Sequence, residues 1–489
     1  MILATEQTHK IVKISYIENN ERKFIDVPKE NFWYWDECKS AKADKTFKSY
    51  LGKPVKKNYE KASKYNINKF SIWEWINTQP KELQNTLYKL AFPKMLFCDI
   101  ETEVIDGFPD VNVAKEKVTT ITFTYVDKNK KIQSITVGYK EDFNHEQQNK
   151  MQGFIDDYFT SVNNNRPIVF KYKKVNNETE LLQFFIEICK KFHIITGWYF
   201  EDFDWPYLKR RMMNLGLDYK QISPTNTLDR YNNPNHFVII DYMKVFEKND
   251  KTIRVKESLS LEFISNAVLG VGKLKYGGTL QEMYENDYKK YVLYNNVDTI
   301  NVLLIHDTCK TLNALLALSN MSACEVAKCQ SAVNITEGLM SKGYLAEYKV
   351  IPKKSGRGNE KEEYVGAYVK APITGMHGAA TCFDFSSLYP SIARQLNLSP
   401  ESFIGKNTPN MTDKYGKEES FDKYKELSKK IDRSNNKEII SISGCKFTTN
   451  GSTLKTIFDN LYAQRKIDQT RFKKCDKLAH ELKQKLKQM

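Results

Sequence analysis

Apolar and polar residues alternate over KIVKISYI (10–17) and again over FIDV (24–27), with the turn-like ENNERK between them, and this predicts a β-hairpin. An aromatic cluster, Phe32 to Trp35, and a lysine-rich helical stretch complete a small mixed region up to residue 93, in which Trp33 and Trp35 read as core or interface residues. From Lys94 the pattern sharpens. KMLFCDIETE, VTTITFTYVD and KIQSITVGY are three β-rich runs with short polar connections, which predicts a three-stranded meander. NNETELLQFFIEICKKF then carries apolar residues at three- and four-residue spacing and opens on Asn177 and Glu180, placed like a capping box. HIITGW reads as a strand, and DWPYLKRRMMNLG as a helix with Pro206 near its start and Gly216 at its end. TNTLDRY and HFVIIDYMKVF read as a further β-pair around the polar tip Asn232 to Asn235, and helical stretches run from Glu257 to about Gly343.

A chain of 489 residues suggests roughly three domains at about 150 residues each. Lys and Arg number 75 against 60 Asp and Glu, a formal charge of +15, which points to a polyanionic partner. The nine cysteines are scattered and include no CxxC, so neither a disulfide framework nor a zinc ribbon is expected and the thiols read as reduced. No signal-peptide pattern opens the chain and no apolar run is long enough to span a bilayer. A cytoplasmic protein, or one working in a host cytoplasm, with no membrane partner is the expectation.

Residues 353–363, KKSGRGNEKEE, read as a linker, and the stretch CFDFSSLYPSIARQ (382–395) follows it. Read physically, Phe383 belongs to a buried strand that delivers Asp384 to its exposed end. The chain then turns at Ser386 and Ser387 into a helix at Leu388, Tyr389 and Pro390, leaving backbone N–H groups to face phosphate oxygens. After Pro400 the chain is polar and lysine-rich to about Lys437 and reads as a loop or insertion. From Thr453 onward Leu454, Ile457, Phe458, Leu461, Phe472, Leu478, Leu482 and Leu486 fall largely on one helical face, with basic residues on the other.

The stretch from Asp384 to Ile392 fits D-x-x-S-L-Y-P-S-I throughout and resembles the first palm motif of family B DNA polymerases. That resemblance implies a metal-binding role for Asp384, triphosphate contacts from Ser386, Ser387 and Leu388, and a Tyr389 that packs under the sugar. EYVGAYVKAP, with Tyr364, Gly366 and Ala367, is similar to the family's template-contacting Y-x-G-G/A motif. KESLSLEFISN and VGKLKYGG resemble the stretch before the third exonuclease motif in T-even-type phage polymerases, and YAQRKIDQ resembles the first fingers helix, with Arg465 at a triphosphate-binding position. Gln469 stands where the family has a Lys.

Three acidic stretches add a second centre. Asp99 and Glu101 lie at i and i+2 and so face one side of a strand, Asp204 precedes a helix, and Tyr294 and Asp298 lie one helical turn apart. Each alone fits a solvated strand face, an N-cap or a helix surface. Together, on a strand–strand–strand–helix–strand–helix order that is ribonuclease-H-like, they resemble the DEDD exonucleases of the Tyr subtype. The resemblance implies two divalent ions, Mg²⁺ or Mn²⁺, in each active site, about 4 Å apart and held by oxygen ligands. Asp99, Glu101, Asp204 and Asp298 would hold them and Tyr294 would orient the attacking water. Tyr199 replaces the Asn that the family carries five residues before the second-motif Asp, and Tyr199 and Phe200 are candidates for stacking on a single-stranded 3′ end, with Trp198 read as packing.

The expected fold is α/β and multidomain. It comprises a mixed N-terminal domain (1–93, completed by 311–357), a ribonuclease-H-like 3′→5′ exonuclease domain (94–310), a partial palm (358–450) and the first part of the fingers (451–489). The family's K-x-x-x-N-S-x-Y-G and D-T-D motifs do not occur in these residues. The implied function is that of the N-terminal subunit of a split DNA polymerase. It would bind primer-template DNA, and would use dNTPs only with a partner chain that supplies the second fingers helix, the rest of the palm and the thumb, and through which a sliding clamp would act. A free-standing 3′→5′ exonuclease with a vestigial palm, and a non-catalytic DNA-binding or regulatory protein, are the alternatives.

Overall fold

The computed structural model describes residues 1–8, 10–28, 33–58, 72–105, 107–162, 166–352, 370–385, 387–406, 426, 429, 437–441 and 444–488. They form two compact units, Met1–Asn31 with Thr78–Thr336 and Phe32–Asn77 with Glu337–Met489.

In the first unit β1 (Ile2–Gln7), β2 (Ile11–Glu18) and β3 (Glu21–Pro28) make an antiparallel sheet. The β2–β3 hairpin turns on Asn19 and Asn20, whose φ values of 52° and 64° are the left-handed pair that a two-residue turn between right-twisted strands requires. The second unit's N-terminal segment supplies β4 (Tyr34–Glu37), β5 (Lys48–Ser49), β6 (Val55–Asn58) and α1 (Ile72–Asn77), after which α2 (Lys81–Tyr88) returns to the first unit.

There β7 (Met95–Thr102), β8 (Val118–Val126) and β9 (Ile132–Gly138) form the antiparallel meander that the alternation predicts. The next two elements, α3 (His145–Tyr158) and β10 (Ile168–Lys174), were not predicted; β10 runs parallel to β9 at the sheet edge. Then come α4 (Glu178–Cys189), β11 (Ile194–Gly197), α5 (Asp204–Asn214), β12 (Val238–Asp241) and α6 (Tyr242–Asn249). The sheet has six strands in the order β10-β9-β8-β7-β11-β12, with β11 parallel to both β7 and β12. The β-pair expected around Asn232 to Asn235 is not formed beyond one bridge, Leu228 to Pro234. Thr225 and Thr227 instead give their hydroxyls to Glu6, which draws that segment away from a ladder and leaves β12 to pair with β11.

Helices α7 (Leu261–Leu269), α8 (Leu280–Asn286), α9 (Tyr288–Cys309) and α10 (Thr311–Ser322) follow. The 22-residue α9 is buried nearly all round, because it lies on the sheet under other helices and has no solvent face to keep polar. Strand alternation sorts β7 between two cores. Leu96, Cys98 and Ile100 pack with Leu182, Phe185, Tyr207 and Leu208 of α4 and α5, whereas Phe97 joins the core that contains α9. Asp99 and Glu101 share the Phe97 face. At the end of β11 a Cβ on Gly197 would stand 2.3 Å from the Cys98 carbonyl oxygen and 2.9 Å from the Phe200 ring. Gly197→Ala is therefore expected to cost about 3 kcal/mol, the upper end of overpacking, read as a lower urea midpoint.

The second unit holds a small core of Trp35, Val55 and Val350, with Trp33 and Phe47 against it. The helix α11 (Ala332–Ala346) enters it, and β13 (Lys349–Val350) pairs with β5. The strand expected to carry Asp384 is absent: residues 381–385 join no ladder, and Phe383 and Phe385 are 88% and 74% exposed. An extended segment persists as a strand only where a neighbour takes its hydrogen bonds, and no described strand lies beside this one. The helix α12 (Leu388–Gln395) does start where the motif predicts. The polar stretch read as a loop begins with β14 (Phe403–Lys406) and ends with β15 (Glu438–Ile440); with β16 (Cys445–Thr448) they form a sheet in the order β14-β16-β15. The linker at 353–363 lies outside the described residues. The last helix, α13 (Thr453–Gln488), packs on α12 near its start through Arg394 and Asp459, 2.5 Å apart, and leaves Phe472, Leu478 and Leu482 exposed. No described helix is long and apolar enough to cross a membrane.

Candidate active site

Three separated stretches bring four carboxylates to one end of the six-stranded sheet. Asp99 and Glu101 project from β7 toward α9. Asp204 is the first residue of α5, where a helix N-terminus favours negative charge, and its Oδ1 accepts from the Ile100 amide at 3.1 Å, which ties α5 to β7. Tyr294 and Asp298 lie one turn apart on α9. Asn295, between them, donates from Nδ2 to Asp99 Oδ2 at 2.6 Å.

Lys273, in the loop before α8, reaches Asp298 Oδ2 at 2.7 Å, and its ammonium stands 4.9 Å from the centre of the Tyr294 ring. Tyr276 meets Tyr294 edge-on, with centroids 5.3 Å apart. Neither Lys273 nor Asn295 was singled out as a site residue from sequence, although Lys273 lies in VGKLKYGG and Asn295 inside the YxxxD spacing.

Burial sets the electrostatics. It pushes the Asp99 carboxyl up to about 7, with Asp298 adding to the rise and Lys273 and Asn295 opposing it. Burial and the neighbouring Asp99 charge hold Glu101 and Asp204 well above the usual carboxylate range. Asp298 is raised by burial against the pull of Lys273. Against its own burial, the Lys273 ammonium is held above its ordinary value by Asp298 and Tyr294.

No three described His, Cys, Asp and Glu side chains stand in a ready-made ligating geometry. The donor set still fits hard divalent cations: every ligating atom is a carboxylate oxygen, one lysine faces four acids, and Asp298 Oδ1 is buried with no hydrogen-bond partner among the described residues.

Two clefts flank the acids. One, of about 300 Å³, is lined by Glu101, Phe108, Pro109, Phe203, Tyr276 and Leu280, and Phe108 is 81% exposed. The other, of about 380 Å³, is lined by Asp99, Trp198, Tyr199, Leu259, Lys273 and Asp298. Tyr199 is 47% exposed and has φ +64°, an uncommon backbone for an aromatic residue. Phe200 is fully buried against Gly197 and offers no face to a base, because the same turn that exposes Tyr199 drives its neighbour into the core. Trp198 packs against Tyr242 and Phe246 and donates to the Leu259 carbonyl at 2.9 Å.

In the second unit Asp384 is exposed, as are Leu388 and Tyr389. Ser387, with φ +55°, is the N-cap of α12, and Arg465 of α13 donates from Nη1 to its Oγ at 3.0 Å. The palm motif and the helix predicted to carry a triphosphate-binding Arg thus meet. Tyr364, Gly366 and Ser386 lie outside the described residues.

Comparison with known proteins matches the chain over two stretches. The model for DNA polymerase family B, exonuclease domain, matches residues 53–261, and the model for DNA polymerase family B matches residues 323–489. The chain is 27% identical to the DNA-directed DNA polymerase of Escherichia phage RB69 over 438 residues, 82% of this chain and 47% of that protein. It is 29% identical to the DNA-directed DNA polymerase of Enterobacteria phage T4 over 249 residues, 48% of this chain and 27% of that one. DNA polymerase 1 of Aeropyrum pernix is 26% identical over 258 residues, 49% and 26% of the two chains. The matched region spans about half the length of the RB69 relative and less of the others. The chain belongs to DNA polymerase family B and contains that family's exonuclease domain.

Proposed function

We propose that this chain removes nucleotides from 3′ ends of DNA and contributes the first palm motif to a polymerase site completed by a partner chain. The observation that carries the nuclease reading is the convergence of Asp99, Glu101, Asp204 and Asp298, from three separated stretches, around Tyr294 at one end of the sheet. Two divalent ions held by these four carboxylates would activate water and stabilise the leaving 3′ oxygen. Tyr294 orients the attacking water through its hydroxyl. Lys273 holds Asp298 in place, and Phe108 and Tyr199, exposed in the two flanking clefts, give a frayed 3′ end aromatic surfaces to stack on.

For synthesis, Asp384 would hold metal, the turn at Ser387 and Leu388 together with Arg465 would meet the triphosphate, and Tyr389 would pack under the sugar. Two-metal phosphoryl transfer needs a further aspartate, and the D-T-D and second-fingers motifs are not in these 489 residues. The partner chain of this proposal, or residues continuous with this chain, would supply them. The exposed apolar residues of α13 and the exposed Phe383 and Phe385 support this, since they suit a covering surface.

A labelled primer-template incubated with the chain and Mg²⁺, with and without dNTPs, tests both halves. Stepwise shortening without extension is expected. Extension by this chain alone would refute the partner, and an intact primer beside a folded protein would refute the nuclease.

A further inference from the structure

Between α9 and the sheet lies a layer of buried polar side chains rather than an apolar contact. Thr122 of β8, Thr136 of β9, and Asn295 and Asn296 of α9 are all 0% exposed. The Thr122 and Thr136 hydroxyls are 2.8 Å apart, Thr122 is hydrogen-bonded to Asn295 Oδ1, and Asn296 Nδ2 reaches Thr136 Oγ1 at 3.2 Å.

With Asp99 ionised, as a metal-ligating carboxylate is, the chemistry of this end member fixes the direction of each bond. An ionised Asp99 only accepts, so Asn295 must present its NH₂ group to Asp99 Oδ2, and its amide oxygen faces Thr122. That oxygen also only accepts, so the one Thr122 proton is committed to it. The bond between the two threonines is then donated by Thr136, which accepts in turn from the Asn296 amide. The dipoles run in one sense, Asn296 to Thr136 to Thr122 to Asn295 to Asp99, each polarising the next toward the carboxylate.

We propose that Asn295 is the positioning residue for Asp99, held by this one-way relay so that the Asp99 carboxylate cannot rotate and presents a fixed oxygen to the divalent ion. The proposal rests on the reading of Asp99 as a metal-binding carboxylate. A reversed Asn295 amide would set two oxygens face to face at 2.6 Å and point an N–H at a hydroxyl whose proton already faces it; the relay excludes that state. Hydrogen-bonded partners behind a ligating carboxylate typically change metal affinity or activity by about 10- to 100-fold when removed.

The test compares Thr122→Val, which keeps the shape and removes the hydroxyl, with Thr122→Ser, which keeps the hydroxyl. Thr124→Val is the control. It removes a hydroxyl from the same layer, but one bonded to Ser134 and Thr299 at 2.7 and 2.8 Å, which meets the relay only through Ser134, the other acceptor of the Asn296 amide at 2.9 Å, and touches none of the steps from Thr136 to Asp99. Mn²⁺ affinity is read from the EPR signal of the free ion, with kcat and KM on a 3′-labelled oligonucleotide and Tm beside it. Thr122→Val is expected to lose about 10- to 100-fold in Mn²⁺ affinity, with kcat falling beside it and KM unchanged, Thr122→Ser to restore it, and Thr124→Val to lower Tm without changing Mn²⁺ affinity. If Thr122→Val does not fold, Thr136→Val interrupts the same relay one member further away and carries the same expectation. Equal Mn²⁺ affinity in the two valine variants, or no difference between Val and Ser at 122, overturns the proposal. Asp99→Ala separates the two levels. If it binds Mn²⁺ as the wild type does, the metal-site reading falls and this proposal with it. If it loses the ion while Thr122→Val keeps it, the relay alone falls.

Discussion

Asp99→Asn combined with Glu101→Gln is expected to slow 3′ degradation by at least about 10³-fold, equivalent to about 4 kcal/mol in the activation barrier, while making the metal-free protein more stable. The amides keep the size of the acids, and an asparagine at 99 can still accept from Asn295, so packing is preserved and the change is chiefly one of charge. Activity falls because two of four anionic oxygen ligands are lost. Stability moves the other way because burial and the neighbouring acids raise these carboxyls, Asp99 to about 7. A carboxyl that binds its proton more tightly folded than unfolded weakens the fold as pH rises from its unfolded value, about 4, toward its folded one. In EDTA the variant should match the wild type near pH 4 and exceed it in Tm increasingly up to pH 7 to 8, by scanning calorimetry. Mg²⁺ should narrow the gap by stabilising the wild type alone. A variant with full activity would remove the carboxylates from the chemistry, and a variant less stable at pH 8 would remove the repulsion.

Arg211→Ala is expected to be the most damaging single change to the frame around the acids. Its guanidinium meets the Glu178 carboxylate through two bonds of 2.7 Å, both side chains are nearly buried, and Glu178 also accepts from the Val118 amide at 2.8 Å. The same guanidinium donates to the Ala114 and Lys115 carbonyls. One pair thus joins the start of α4, the end of α5 and the start of β8. Truncation leaves a buried carboxylate with no counter-charge, at a cost of about 3–5 kcal/mol. Arg211→Lys should recover only part of this, because an ammonium cannot make the planar two-point contact. Urea unfolding followed by circular dichroism measures both. A midpoint unchanged in Arg211→Ala would mean that water reaches Glu178.

The elements legible in the sequence were those whose reasons are local. The β7–β9 meander shows as alternation, α5 as a helix with Pro206 and Gly216 at its ends, and the DxE pair as residues on one strand face. Two elements between β9 and α4 escaped notice. In α3 the buried residues Met151 and Ile155 sit among many polar ones, and β10 is an edge strand whose Lys171, Lys173 and Lys174 dilute its apolar signal. The strand around Asp384 failed for the opposite reason: its motif is strong, but a strand needs a neighbour, which local residues cannot report. Phe200 and Tyr199 read alike in sequence and part company only because a left-handed turn sends one inward. Lys273 and Asn295 were out of reach because their roles exist only through Asp298 and Asp99, the latter 196 residues from Asn295 along the chain.

That separation also orders events during synthesis. A ribosome adding about 5–20 residues per second makes Asp99 roughly 10–40 s before it makes Asn295. In that interval Thr122, Thr124, Ser134 and Thr136 await partners carried by a helix that has not been built, and closing so long a loop is among the slower steps a chain of this kind takes. The acidic cleft is therefore complete only once α9 has been made, and no nascent fragment that stops short of Asp298 holds the four carboxylates together.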